Sequence, residues 1–374
     1  MHIISMQKRI QTEHTPYYII RKEMNKLQSL ILLLIVSSCT FAQKNILDKY
    51  AIGFYNMENL FDTEDDPTKN DDDFTPNGSY NWTEHKYQSK LKNMAQVVSD
   101  LGTDYTSKGC AFVGVAEIEN AKVLKDLCAQ PSLKSKGFKY IHFEGVDKRG
   151  IDCALLYNSS LFQVNIKKTK LVPYRPVEPG FKTRGFLTVD GTLAGEHVVV
   201  IVCHLPSRLK GDDTGRVVGA QQVDSLKRTL LKTDPTTKIF IMGDMNDDPL
   251  DRAMTSKGLH GKEKIDNVKQ GDLFNPFISI FKSGTGTLIH EGKWNLFDQI
   301  LITPNLLNQR NKKDTSTLKY HSSQIFRRDY LVHATGRHKG TPKRTHSGGE
   351  WKNGYSDHLP VVMYLTKNSI KSNK

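Results

Sequence analysis

Near the C-terminus, three consecutive polar residues are of the types that hydrolytic sites use. Ser356, Asp357 and His358 come directly before an apolar run over 359–365. Neighbouring carboxylate and imidazole groups can place a metal-binding oxygen and a proton-carrying nitrogen in one small volume. Taken alone, the three residues also fit part of a hydrolase triad with the serine as nucleophile.

Polar residues follow three further apolar runs. Glu117 ends one run, where a buried carboxylate is costly unless it is paired or binds a metal. His204 ends a second run, and Asp244 and Asn246 follow a third. Residues two apart in extended backbone point the same way, so Asp244 and Asn246 can act on one phosphoryl group and its attacking water. We therefore expect carboxylates, an amide and an imidazole to meet at the ends of several strands.

Four other residues are weaker candidates. Asn56 ends the first strand-like run, and Asp298 begins a later one. Arg149 and Arg208 lie in polar segments beside apolar runs, and a guanidinium group suits phosphate. Each has an ordinary explanation as well, since asparagine at a strand end commonly makes a turn. These residues become informative only in combination with the other clusters.

The elements that must position these residues alternate along the chain. Apolar runs bounded by turn residues predict strands, and apolar residues spaced by three and four predict helices. The predicted strands cover 50–56, 110–117, 152–157, 162–172, 185–189, 197–204, 238–243, 297–302 and 359–365, and the predicted helices cover 83–101, 120–128 and 216–232. Many strands with helices between them indicate an α/β sandwich of two packed sheets with helices on the outer faces.

Residues 1–42 are predicted to be an N-terminal extension and signal peptide. A short basic start, a brief apolar run over 30–36 and small residues after it are typical of secretory leaders. Two ways of processing remain open, because Cys39 lies in a lipoprotein-like box and cleavage after Ala42 would release a soluble product. We therefore predict an exported protein, periplasmic or extracellular, with one domain over 43–367 and a polar tail over 368–374.

The charge of the chain favours polyanionic partners. The formal net charge is +13, which suits encounter with nucleic acid or anionic lipid. Lysine and arginine are concentrated over 308–345, and this stretch is either a polyanion-binding flank or solvated surface. The cysteines after the leader have no metal-binding spacing.

Taken in order, the clusters resemble those of the endonuclease/exonuclease/phosphatase superfamily, which has the DNase I-like fold. The residues that carry the resemblance are Asn56, Glu117, His204, Asp244, Asn246, Asp298, Ser356, Asp357 and His358. The Asn-Leu-Phe-Asp-Thr segment at 59–63, the Arg-Gly-Ile-Asp segment at 149–152 and the Tyr-Ser-Asp-His segment at 355–358 are similar to those of exported bacterial members.

The resemblance implies a four-layer α/β sandwich with the site at one edge, between two mixed sheets. It also implies hydrolysis of phosphoesters that depends on Mg²⁺ or Mn²⁺, with Ca²⁺ as an alternative ion. In such a site, Asp244 orients or deprotonates the attacking water, and Asp298 fixes and charges His358. The expected site is metal-binding at Asn56, Glu117 and Asp357, catalytic at His204, Asp244, Asn246, Asp298 and His358, and phosphate-binding at Arg149 and Arg208.

Three functions are compatible with the sequence. The first is an exported nuclease that cleaves nucleic-acid phosphodiester bonds, and the basic charge favours it. The second keeps the chemistry and changes the substrate, as in phosphatases or sphingomyelinase-like enzymes that act on lipids or small phosphoesters. The third is a catalytically inactive binding module, which the presence of all the site residues argues against. We expect a monomer, and nothing in the sequence indicates a protein partner.

Overall fold

Two large mixed sheets form the centre of the protein. The structure, a computed structural model, describes residues 23, 24, 28, 44–308 and 315–371. Leu47–Asn368 make one compact unit. The predicted signal peptide with Cys39, residues 309–314 of the basic stretch and the end of the tail lie outside the described residues. Within the described part of the chain, no helix is long and apolar enough to cross a membrane.

The described elements are numbered here in chain order. The strands are β1 (Lys44–Leu60), β2 (Cys110–Ile118), β3 (Phe138–His142), β4 (Asp152–Asn158), β5 (Phe162–Val164), β6 (Lys170–Val172), β7 (Phe186–Leu193), β8 (Glu196–His204), β9 (Lys238–Asp244), β10 (Gly261–Lys262), β11 (Leu273–Phe274), β12 (Leu288–His290), β13 (Lys293–Asn295), β14 (Asp298–Ile302), β15 (Lys319–Ile325), β16 (His346–Ser347), β17 (Glu350–Trp351) and β18 (Val361–Lys371). The α-helices are α1 (Glu84–Asp100), α2 (Ala121–Ala129), α3 (Pro131–Lys134), α4 (Thr214–Thr233) and α5 (Phe277–Lys282).

Each large sheet combines parallel and antiparallel pairs. The first sheet has the order β15-β18-β1-β2-β4-β3, with β1 parallel to β2. The second has the order β10-β11-β14-β9-β8-β7-β5, and β6 also pairs with β7. In this second sheet β8 runs parallel to β9, while β14 and β7 run antiparallel to their neighbours. The parallel pairs matter for the site, because the carboxyl ends of parallel strands lie at the same sheet edge.

Alternating burial along the strands builds four layers. In β8, Val198, Val200 and Val202 pack into the core between the sheets. The intervening residues Val199 and Ile201 pack instead with helix α4 on the outer face. Helices α1 and α2 cover the outer face of the first sheet in the same way. This arrangement confirms the predicted four-layer α/β sandwich.

The prediction differs from the structure in detail. Strands β3, β10–β13, β16 and β17 and helices α3 and α5 were not predicted. The expected strand over 162–172 is broken by a 3₁₀ turn, Ile166–Lys168, so it forms the short strands β5 and β6. No strand was predicted in the basic stretch 308–345, but it contains β15, which pairs with β18 at the end of the first sheet. Strand β15 was missed because its residues are mostly polar, as is common for strands at the edge of a sheet.

Candidate active site

Three neighbouring strands of the second sheet bring the polar clusters together. His204, the last residue of β8, lies beside Asp244, the last residue of β9. Asp244 in turn lies opposite Asp298, the first residue of β14. Gly243 allows this close approach, since a side chain there would come within 2.1 Å of the Cys203 carbonyl oxygen. The register thus places an imidazole and two carboxylates side by side.

Asp244 is the centre of the site. Its Oδ2 accepts a hydrogen bond from Asn56 Nδ2 at 3.0 Å, and its Oδ1 accepts one from the Asn246 backbone N–H at 2.9 Å. His204 Nε2 and His358 Nε2 lie 3.6 Å and 3.9 Å from Asp244 Oδ2. Burial raises the pKa of Asp244 to about 6, against the lowering effect of His358. A carboxylate with this pKa is ionised at neutral pH and is well suited to accept a proton.

His358 and Asp298 form a buried ion pair. His358 Nδ1 lies 2.7 Å from Asp298 Oδ2. Burial opposes the charged imidazolium, but Asp298, and then Asp244 and Asp357, raise the pKa of His358 well above its usual value. Asp298 Oδ1 is buried and has no hydrogen-bond partner among the described residues. Within the described part of the chain, the side-chain partner of this carboxylate is therefore His358. The imidazolium therefore presents Nε2 to the site as a charged donor.

His204 has the opposite electrostatic state. Burial first, and then Arg184 and Arg149, hold the pKa of His204 well below its usual value. The imidazole is therefore neutral at pH 7. Sequence reasoning missed Arg184, whose Nε and Nη2 donate to the carbonyls of His204 and Leu205 at 2.9 Å and 3.0 Å. The available signal in the sequence was an arginine directly before a predicted strand.

Ser356 positions the segment that carries Asp357 and His358. Its Oγ donates to the Asn56 carbonyl at 2.8 Å and accepts the His358 backbone N–H at 3.1 Å. The first bond ties the segment before β18 to β1, and the second fixes the turn that carries His358. The hydroxyl is therefore used for positioning, and the serine-nucleophile alternative gains no support.

The predicted metal ligands lie at the end of the first sheet. Glu117 sits where the register of β2 shifts, and its Oε2 accepts the Asn59 backbone N–H at 3.0 Å. Glu58, Asn59, Glu117 and Asn246 all have left-handed backbone, with φ of 47°, 55°, 61° and 49°. Strained backbone of this kind is often found at functional sites, where the surrounding structure has to enforce it.

These residues suit a hard divalent cation. The carboxylates of Glu117 and Asp357 and the amide of Asn56 are oxygen donors of the type that Mg²⁺ and Mn²⁺ prefer. Asp357 also accepts a hydrogen bond from Arg344 Nη2 at 2.9 Å, so a guanidinium group adjoins this carboxylate. The amide oxygen of Asn56 accepts the Glu58 backbone N–H at 2.9 Å, which fixes the direction of that oxygen.

A second group of charged residues at this edge was missed by sequence reasoning. Glu58 is buried and accepts Arg344 Nε at 3.1 Å and the Thr345 backbone N–H at 2.6 Å. Burial, with Asp357, raises the pKa of Glu58 to about 7. Lys90 of α1 is fully buried and donates to Thr345 Oγ1 at 2.5 Å. A lysine among the apolar residues of a helix face was the available signal.

The remaining predicted residues differ in their surroundings. Arg149 is half exposed and lies close enough to lower the pKa of His204. One amide N–H of Asn246 bonds to the Leu205 carbonyl at 3.0 Å. Arg208 is engaged elsewhere, since its Nε donates to the Asn246 carbonyl at 2.9 Å and its Nη2 to Asp251 at 2.8 Å. The structure thus places Arg208 as a brace behind the 244–248 segment, rather than free to meet a phosphate.

Two sets of three possible metal ligands occur among the described residues. One is the site set, Asp244, Asp298 and His358, and the other is His142, Glu144 and Asp152. In the second set, Lys69 Nζ lies 3.2 Å from Glu144 Oε1, so an ammonium group already balances the carboxylate there.

The family comparison agrees with this geometry. A model of the Endonuclease/Exonuclease/phosphatase family matches residues 51–367. The chain belongs to this family, whose members are divalent-metal-dependent phosphoester hydrolases. No curated protein matches the chain.

Solved structures share the fold at low sequence identity. An endonuclease/exonuclease/phosphatase family protein from Bacteroides thetaiotaomicron is 15% identical, with a TM-score of 0.51, over 88% of this chain and 99% of that one. A mannosyl-6-phosphatase from Bacteroides thetaiotaomicron VPI-5482 is 16% identical, with a TM-score of 0.50, over 84% and 99%. TDP2 from D. rerio, complexed with a single-strand DNA product, is 13% identical, with a TM-score of 0.50, over 85% and 99%. These likenesses concern the fold alone.

Proposed function

We propose that this protein is an exported phosphodiesterase that hydrolyses nucleic-acid backbones. The observation that carries the proposal is the arrangement around Asp244, where a carboxylate with a pKa of about 6 lies within 4 Å of a neutral and a charged imidazole. Hydrolysis of a phosphodiester needs an activated water, charge neutralisation on the phosphoryl oxygens and stabilisation of the leaving oxygen. The residues of this site provide groups for all three.

In the proposed reaction, the ionised Asp244 accepts a proton from the attacking water. The neutral His204 and the amide of Asn246 donate hydrogen bonds to the phosphoryl oxygens. His358, charged and held by Asp298, stabilises the negative charge that develops in the transition state. Because all these groups are buried and fixed by hydrogen bonds, they need little reorganisation during the reaction.

Glu117, Asp357 and Asn56 are the residues proposed to hold the divalent ion, Mg²⁺ or Mn²⁺. When bound, such an ion neutralises phosphoryl oxygens and lowers the pKa of a bound water. Oxygen-only ligands at a site with several carboxylates favour these ions over softer metals.

A substrate panel tests the proposed function. Purified 43–374 is incubated with plasmid DNA, RNA, bis(p-nitrophenyl) phosphate, sphingomyelin and a sugar phosphate, with Mg²⁺, Mn²⁺ or EDTA. We expect cleavage of nucleic acid and of the diester, with loss of both in EDTA and in His358→Ala. Intact nucleic acid at high enzyme concentration with either metal would refute the nuclease proposal. Release of phosphate from the sugar phosphate instead would favour a phosphatase.

Export is proposed from the leader sequence, and the processing of that leader can be tested separately. If Cys39 is lipidated, Cys39→Ser will move the protein from the membrane fraction to the soluble fraction. If cleavage follows Ala42, the substitution will leave the distribution unchanged and the mature chain will begin at Gln43. N-terminal sequencing of the exported product distinguishes the two. An unprocessed protein in the cytoplasm would contradict export.

A further inference from the structure

A basic hairpin adjoins the catalytic site and is not used by the reaction described above. It is defined here as residues 331–345 and called the basic arm. Val332 and Pro342 form an antiparallel bridge, and the His333 carbonyl accepts the Gly340 N–H at 2.8 Å. A turn closes the tip through the Lys339 N–H and the Gly336 carbonyl at 3.1 Å. The backbone bonds therefore give the arm a defined shape.

The tip of the arm carries positive charge without acidic partners. Between Asp329 and Glu350 the sequence contains no aspartate or glutamate. Arg337 and Lys339 are exposed at the tip, and among the described residues no ion pair joins either of them to a carboxylate. Arg328, just before the arm, shows the contrast, because it lies 2.5 Å from Asp104. Uncompensated cations of this kind repel one another unless an anion joins them.

The inner end of the arm is part of the site. Arg344 Nη2 donates to Asp357 Oδ2 at 2.9 Å, and its Nε donates to Glu58. The Lys343 carbonyl accepts the Tyr355 backbone N–H at 2.6 Å. A side chain on Gly354 would come within 2.2 Å of the Arg344 carbonyl oxygen, so only glycine permits this contact. The arm is therefore anchored directly against the residues proposed to hold the metal.

We propose that the basic arm binds the backbone of a nucleic-acid strand on one side of the scissile phosphate. This inference rests on the proposed phosphodiesterase function and narrows its substrate to chains with several phosphates. Arg344 anchors the arm to Glu58 and Asp357 beside the site, and Arg337 and Lys339 contact phosphates farther along the strand. A substrate with a single phosphate fills only the catalytic site and gains nothing from the tip.

The length of the arm sets the length of strand that can use it. Lys339 and Arg344 are five residues apart, which is at most roughly 17 Å in extended backbone. Along a duplex axis, that distance is on the order of five nucleotides. Oligonucleotides much shorter than this should not benefit from the tip cations.

The test compares two double variants in the His358→Ala background, in which a bound oligonucleotide stays intact. Arg337→Ala/Lys339→Ala removes the tip cations. Lys167→Ala/Lys168→Ala removes two equally exposed cations from the 3₁₀ turn between β5 and β6. Fluorescence anisotropy measures the affinity for a 20-nucleotide strand over a series of salt concentrations. Turnover of bis(p-nitrophenyl) phosphate is measured for both double variants with His358 restored.

We expect the tip variant to bind the strand about tenfold more weakly near 0.1 M salt. Its plot of log affinity against log salt should be shallower by about 1.4 to 1.8, since each lost phosphate contact removes about 0.7 to 0.9. The control and the charge-retaining Arg337→Lys/Lys339→Arg should keep the original slope. Turnover of the small diester should stay unchanged in the tip variant and the control, because both pairs of cations lie outside the site.

Equal slopes and affinities for the tip variant and the control would overturn the inference. The inference would also be overturned if the tip variant lost affinity equally for a two-nucleotide and a 20-nucleotide substrate. Failure of the proposed function gives a different result, because the unmodified enzyme would then leave nucleic acid intact. The binding measurements would still show whether the tip cations contact the strand. Binding to phosphatidylglycerol vesicles without binding to the oligonucleotide would also overturn it.

Discussion

Two histidines in one pocket carry different charges because their neighbours differ. Asp298 outweighs burial and keeps the His358 imidazolium charged, whereas burial first, and then the guanidinium groups of Arg184 and Arg149, lower the pKa of His204 and keep it neutral. Environments that push the pKa values of two like groups apart are a common way to divide acid, base and charge-stabilising roles. At this site the division leaves the carboxylate of Asp244 as the group best placed to accept a proton.

The first prediction concerns pH dependence on the acidic side. Asp244 acts when ionised, and its pKa of about 6 means that the ionised fraction rises as pH rises through that range. We therefore expect kcat/KM for bis(p-nitrophenyl) phosphate to rise about tenfold per pH unit below 6 and to level off above it. Asp244→Asn should lower kcat by about 10² to 10⁴. A profile that is flat from pH 4.5 to 7 would contradict the role of Asp244 as base.

The second prediction concerns Asp298. In Asp298→Asn the shape is retained but the charge that raises the pKa of His358 is lost. His358 will then lose its proton at a lower pH, so the fall in activity on the alkaline side should move to lower pH. An NMR titration of the His358 imidazole measures this shift directly. As a control, Asp72→Asn in the 3₁₀ turn Asp72–Phe74 should leave both profile and titration unchanged.

Strand ends do most of the positioning, and this explains which residues the sequence could predict. His204 and Asp244 each end a strong apolar run and Asp298 begins one, so the strand pattern placed all three at strand ends, and the family resemblance implied that these ends share one edge. Glu58, Lys90 and Arg344 could not be found in this way, because their partners lie far apart in sequence and meet only through packing. The same limit applies to Arg208, whose sequence neighbours gave no sign of its bond to Asp251.

The third prediction concerns an ion-pair cluster that joins three elements away from the site. His197 of β8 lies 2.8 Å from Asp190 of β7 and 3.1 Å from Asp234 at the end of α4. Burial opposes the charge of His197, but these two carboxylates raise its pKa overall. Because the folded pKa is raised, the charged pair stabilises the fold fully below the unfolded pKa of about 6.5. That contribution is lost as pH rises through the folded pKa.

His197→Gln should therefore lower the free energy of unfolding below pH 6 and have little effect well above neutral pH. The cluster is partly exposed, so the loss should be about 0.5 to 1 kcal/mol. Urea unfolding at pH 5.5 and pH 9 measures the difference. His321→Gln serves as the control, since His321 is exposed and forms a hydrogen bond with the neighbouring Ser322. A loss of the same size at both pH values would show that packing, rather than charge, is responsible.

At the scale of the whole molecule, each sheet supplies one half of the site. The first sheet and the segments beside it provide Asn56, Glu117 and Asp357, and the second provides His204, Asp244 and Asp298. The four-layer architecture could be predicted because the apolar periodicity of strands and helices is strong. The edge strand β15 could not, because polar edge strands lack that periodicity. Catalysis in this design requires that the two sheets keep a fixed separation at one edge.

The last prediction follows from that division and concerns the stability of the whole fold with and without metal. If only residues of the first sheet bind the ion, then a variant can lose metal binding without another variant that loses activity also losing it. Mn²⁺ at about 100 times its Kd should raise the free energy of unfolding by about 2.7 kcal/mol, and EDTA should remove the gain. Glu117→Gln should abolish most of this gain in a thermal melt. Asp244→Asn should keep the gain while losing activity, because its carboxylate handles the water rather than the metal. If both variants lost the gain equally, the ion would be bound between the sheets, with Asp244 among its ligands.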